Sequence, residues 1–134
     1  MKIRMFLLLF GILFVSACGQ EIVKEEHEVY LLNKGWDIKE SIEMETYILD
    51  IPNEMLSNYE ASGITFLSDY LGEEVTKYSY ELKGKDIEGE RLKAVLFEAE
   101  ETIIGGYGLL PSWTPGVFDL DDKERLINER MIKH

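Results

Sequence analysis

The chain has 134 residues, with 14 Lys and Arg against 26 Asp and Glu, a formal net charge of −12 at pH 7 and one cysteine. That acidic balance speaks against nucleic acid, whose binding rests on neutralising phosphates with Lys and Arg. One cysteine excludes an internal disulfide, and with only two histidines a Cys/His zinc centre lacks its ligands.

Lys2 and Arg4 open the chain and are followed by an almost unbroken apolar run from Met5 to Val15. As a helix this run reaches about 16 Å, roughly half the hydrocarbon core of a bilayer, which suits a signal-peptide core and not a span. Val15-Ser16-Ala17-Cys18 then resembles the lipobox of bacterial lipoproteins. The resemblance implies cleavage before Cys18 and a diacylglyceryl group on its sulfur. Two acyl chains hold a protein stably on a membrane where one does not. The expected organisation is a lipoprotein signal peptide over 1–17, the lipidated cysteine and an acidic tether over 18–28, and one domain over 29–134. Without residues 1–17 the chain keeps 117 residues, 12 of them Lys or Arg and 26 Asp or Glu, a formal charge of −14. Such a chain is long enough to bury a core without staples. It has no polybasic run, so the folded body is not expected to lie flat on anionic lipid.

The tether, fully extended, reaches roughly 30 Å. A helix is predicted over Glu25–Lys34, with Val29, Leu32 and Trp36 at i, i+3 and i+7 on its inner face and Gly35 as its left-handed stop. Ile38–Ile51 changes to period two: Ile38, Ile42, Met44, Thr46 and Ile48 form an apolar row against Lys39, Ser41, Glu43 and Glu45, a strand with one face expected to be covered. Pro52 ends it and starts a helix carrying Met55, Leu56 and Tyr59, which stops at Gly63. Ile64–Gly72 is an irregular connector with Ile64, Phe66 and Leu67 as core plugs. Glu74–Leu82 alternates again, 83–89 is a turn-rich loop, and Glu90–Phe97 with Thr102–Gly108 forms a hairpin. A rigid loop with Pro111 and Pro115 leads to a short helix near Leu126, Ile127 and Met131. The fold class is α+β, helices packed on one face of a roughly four-stranded, mostly antiparallel sheet.

Asn33-Lys34-Gly35-Trp36, Gly63-Ile64-Thr65-Phe66, Tyr70-Leu71-Gly72 with Val75 and Tyr78-Ser79-Tyr80, and then Ala94-Val95-Leu96-Phe97 with Ile103-Ile104-Gly105-Gly106 together resemble a family of small lipoproteins from Bacillus-type bacteria. The likeness spans most of residues 30–118. The domain of that family has no assigned function, so the resemblance implies a lipoprotein and carries over no reaction, ligand or catalytic residue.

Catalytic groupings are scarce. His27 falls in the tether and His134 ends the chain, so neither is expected in a folded site, and Ser/His/Asp or Cys/His catalysis is not supported. Gly105-Gly106-Tyr107-Gly108 lacks the Lys-Ser/Thr that a phosphate loop needs. Asp119, Asp121, Asp122 and Glu124 do not have EF-hand spacing, and acidic residues in a helix's first turn are ordinary. The aromatic set worth watching is Tyr107, Trp113 and Phe118, which can anchor a protein contact or close the end of a core. The chain is thus expected to be a non-enzymatic, lipid-anchored accessory or interaction module on the extracytoplasmic face of the cell membrane. Neither cofactor nor metal is expected; its partners are the membrane, through the anchor, and an envelope protein, and its residues set no oligomeric state. The alternative is a ligand- or cation-binding lipoprotein using its acidic surface or a pocket near residues 105–113.

Overall fold

Three acidic side chains, Glu25, Glu26 and Glu28, sit in the first turn of helix α1, Glu25–Leu32, where they complement the positive end of the helix dipole. The computed structural model describes residues 22–114 and 116–133. Gly35, at φ +90°, takes the left-handed turn that ends α1 and tolerates few other residues. Trp36 then folds back, its backbone N–H donating to the Leu31 carbonyl at 2.9 Å and its indole N–H to the Leu120 carbonyl at 2.8 Å. Strand β1, Ile38–Ile48, is followed by helix α2, Asn53–Ala61, and a 3-10 turn over Phe66–Tyr70. Strands β2, Glu74–Lys85, β3, Arg91–Ala99, and β4, Thr102–Leu109, come next. A two-residue strand β5, Val117–Phe118, precedes helix α3, Lys123–Asn128.

The strands form one antiparallel sheet in the order β1-β2-β3-β4-β5, an uninterrupted meander. It has five strands where about four are expected, because β5 is too short to show any period. The β2 strand also continues past Leu82 to Lys85. Register runs through Tyr80, Ala94, Gly108 and Phe118 across four strands. The β3–β4 turn is Glu100-Glu101 alone, both residues left-handed at φ 50° and 64°.

Alternate residues of each central strand enter two separate cores. Leu92, Ala94 and Leu96 of β3 join Tyr80, Leu82, Phe118, Leu31 of α1, Leu126 of α3 and Ile132 in the first. Val95 and Phe97 join Leu49, Ile64, Leu67, Val75 and Tyr107, with Leu56 and Tyr59 of α2 packed against them, in the second. Since neighbouring residues of a strand point to opposite faces, α1 and α3 cover one face and α2 the other. The single helical layer expected from the order of elements is two layers.

Two further expectations change. The inner face of α1 is His27 and Leu31, both 0% exposed, while Val29 and Leu32 are half exposed. The i, i+4 pair His27/Leu31 turns the helix about one residue away from the predicted stripe. Of the apolar row of β1, Ile38 is buried in the first core, but the rest is uncovered: Ile42, Met44 and Ile48 are 40%, 58% and 57% exposed. Among the described residues no helix is long and apolar enough to cross a membrane.

Candidate interaction edge

The meander leaves β1 at one margin of the sheet, hydrogen-bonded to β2 alone. Eleven residues long, it presents one side of its backbone without a strand partner. Register places Met44 beside Tyr78, Thr46 beside Thr76 and Ile48 beside Glu74 on one face. Glu43 and Glu45 lie beside Ser79 and Lys77 on the other. Irregularities interrupt the ladder between Ile38 and Glu40 and between Ser41 and Glu43, but from Glu43 to Ile48 it is unbroken. Bulges, lysines and short length are the usual protections of an edge. The six residues 43–48 have no bulge and no lysine, and their only charges are Glu43 and Glu45. The opposite margin ends in β5, two residues long.

The edge is therefore two-sided in chemistry: a row of Ile42, Met44, Thr46 and Ile48 on one face, and of Glu43 and Glu45 on the other. Neither glutamate forms an ion pair among the described residues. Like charges side by side favour a basic arrival.

A buried polar cluster holds α1 against the neighbouring strands. His27 Nδ1 lies 2.6 Å from the Tyr80 hydroxyl and Nε2 lies 2.5 Å from Glu98 Oε2. Lys24 Nζ donates to both Glu98 oxygens, at 3.2 and 2.9 Å, and stands 5.2 Å above the Tyr78 ring. Burial pushes the His27 imidazole below its ordinary value, outweighing the pull of Glu98. We assign it as neutral, with Nε2–H donating to Glu98 and the Tyr80 hydroxyl donating to Nδ1, because Lys24 already neutralises the carboxylate. Burial pushes the Tyr80 phenol up to about 12. Burial also raises Glu98, but hydrogen bonds from Lys24 and His27 outweigh it and hold the carboxylate below its usual range. All four groups satisfy one another, and the cluster forms no cleft: it is a clamp. The expectation that His27 lies outside the folded body is thereby corrected. Its acidic surroundings hide it, and the only sequence signal is its spacing of four from Leu31.

The aromatic set does not converge. Tyr107, 8% exposed, packs in the second core between Tyr59 and Phe97, with ring centroids 5.2 and 6.0 Å away. Phe118 and Trp113 belong to the first core, with Phe118 5.4 Å from Trp36. Gly105 and Gly106 do line a shallow cavity of about 190 Å³ with Tyr30, Lys34, Asp119 and Asp121, but none of the three aromatics does. The glycine run lies inside β4, and its small residues serve packing. A Cβ on Gly105 would fall 2.5 Å from the Phe66 ring and one on Gly108 2.1 Å from the Phe118 ring. Among the described residues no three His, Cys, Asp or Glu side chains group to hold a metal ion, and Asp121 is engaged with Lys34 at 2.7 Å. Cys18 lies outside the described residues.

No protein family, curated protein or solved structure matches this chain; its functional reading rests on its own residues.

Proposed function

We propose that the chain is a membrane-anchored extracytoplasmic lipoprotein of the Bacillus type, held by a diacylglyceryl group on Cys18. In this reading its domain is a non-enzymatic interaction module of the cell envelope. The observation that carries the interaction reading is the unbroken stretch from Glu43 to Ile48 on the β1 edge, with Met44 and Ile48 more than half exposed. Strand addition to such an edge supplies main-chain hydrogen bonds, and alternate side chains supply specificity. The partner we infer is an extended segment of an envelope protein that alternates basic and apolar residues. Its basic side chains would meet Glu43 and Glu45, and its apolar ones Met44 and Ile48. A second copy of this chain is disfavoured, because antiparallel pairing of two β1 edges sets glutamate rows against each other.

The test uses intact cells and a photocrosslinker at position 44, with position 57 on α2 as control. The expected product is an envelope protein joined only from position 44, through a peptide of alternating basic and apolar residues, and lost in a Glu43→Lys, Glu45→Lys variant. A chain crosslinked chiefly to itself, or captured equally from both positions, overturns the reading. The anchor is checked separately. Labelled palmitate should enter the wild-type protein and not Cys18→Ser, and labelling of both, or of neither, refutes it.

A further inference from the structure

Away from the edge, this acidic protein gathers lysines in one place. Lys83 and Lys85 close β2, Lys123 opens α3, and Lys133 stands beside the chain's last residue. All four line one groove of about 370 Å³, a size that suits a small ligand. Its floor is apolar: Trp36, Leu92 and Ile132, each under 5% exposed.

No basic run announces this site, because backbone pairing assembles it. The Lys133 N–H donates to the Lys85 carbonyl at 3.0 Å, and Ile132 bridges Asp86 in antiparallel fashion. Asp86, fully buried, accepts the amides of Glu88 and Glu90 at 2.9 and 3.0 Å and so fixes the turn behind the groove. Lys123 lies across the Trp36 ring, 5.1 Å from its centroid, with its ammonium donating to the Gly35 carbonyl.

The charges are left largely unanswered. Asp37 is the one carboxylate in the lining, and its 3.4 Å contact with Lys83 is the only ion pair these four lysines make among the described residues. In a chain with 26 acidic residues, carboxylates are plentiful, yet among the described residues none pairs with Lys85, Lys123 or Lys133. Four lysines against one carboxylate give the groove's lining an excess of positive charge, which an arriving anion offsets. A single carboxylate would leave most of the rim unneutralised, whereas a phosphate group brings several acceptor oxygens to it. From this geometry we infer that the groove binds a phosphate-bearing group, its oxygens on the lysine rim and its carbon skeleton on the Trp36–Leu92–Ile132 floor. The inference is independent of the β1 edge and of the anchor.

Calorimetric titration of the full chain in neutral detergent with pyrophosphate, at constant ionic strength, tests it. The expected result is saturable binding that weakens at least about tenfold in Lys85→Gln, Lys133→Gln, two charge-assisted contacts being lost. The control Lys77→Gln, Lys93→Gln, outside the groove, should change it less than about twofold, because exposed charges away from a site act only through a screened field. Lys85, Lys93 and Lys133 are exposed and Lys77 is half-buried, and none belongs to either core, so folding is kept. Absence of saturable heat, or equal loss in both variants, overturns the inference. Doping the micelles with phosphatidylglycerol then separates the sources. Competition with pyrophosphate identifies a lipid headgroup as an occupant, and unchanged binding identifies a dissolved phosphate compound.

Discussion

Strands β1 and β3 show what an apolar pattern does and does not reveal. In β1, Ile-Lys-Glu-Ser-Ile-Glu-Met-Glu-Thr-Tyr-Ile, apolar and polar residues nearly alternate, yet most of its apolar row faces solvent. In β3, residues 94–97 form a continuous apolar run and are buried on both faces. Alternation establishes that a strand has two kinds of face; it does not establish that anything covers the apolar one. Cover is a matter of reach. Helix α1, with eight residues, is about 12 Å long, whereas β1, with eleven, runs about 36 Å. The helix secures Tyr78, Tyr80 and Glu98 through its clamp and leaves Met44 and Ile48 bare.

Mutation can break this contrast. Leu96→Ala in β3, a fully buried residue, should cost about 3 kcal/mol in denaturant unfolding. Glu98→Ala, which strips Lys24 and buried His27 of their acceptor, should cost about 2–3 kcal/mol. Replacing the left-handed turn with Glu100→Asn, Glu101→Gly should stabilise by about 1 kcal/mol, since both residues have positive φ and Asn-Gly suits such a turn. Met44→Ala at the free edge should change stability by no more than about 0.5 kcal/mol. Should Met44→Ala unfold the protein as readily as Leu96→Ala does, something within the domain covers β1 and the contrast is false.

The clamp also gives a pH signature. The folded imidazole of His27 titrates below its ordinary 6.5, so the unfolded chain takes up a proton that the folded one resists. Stability is therefore full above about pH 6.5 and falls as pH drops below it. A second loss begins below the ordinary 4.5 of Glu98, whose carboxyl is depressed by its partners, and continues as pH falls through its folded value. Unfolding free energies measured from about pH 8 down to about pH 2 should show both losses. His27→Gln should abolish the first and keep the second; an unchanged profile would mean that His27 is not neutral in the fold.

Much of the fold is legible in the sequence for local reasons. Gly35 and Gly63 stop their helices, Pro52 separates β1 from α2, and period two marks β1 and β2. What is not legible is non-local. A two-residue strand has no period, and β5 exists only because Phe118 and Val117 pair with Gly108 and Leu109. His27 becomes a core residue only when α1 meets Tyr80 and Glu98, residues 53 and 71 positions away. The four lysines of the groove come from three separate segments. The edge was half legible: its pattern was visible, its exposure was not.

Folded structure starts earlier than the acidic composition of the first segment suggests, with Val23 packed on the first core and Lys24 clamped to Glu98. From Cys18 to Val23 is five residues, a span of at most about 17 Å. On the anchored reading, then, the body does not swing outward to sample the wall. Its first folded residues would stand within about 17 Å of the anchor, and a recruited strand would have to reach the domain close to the bilayer.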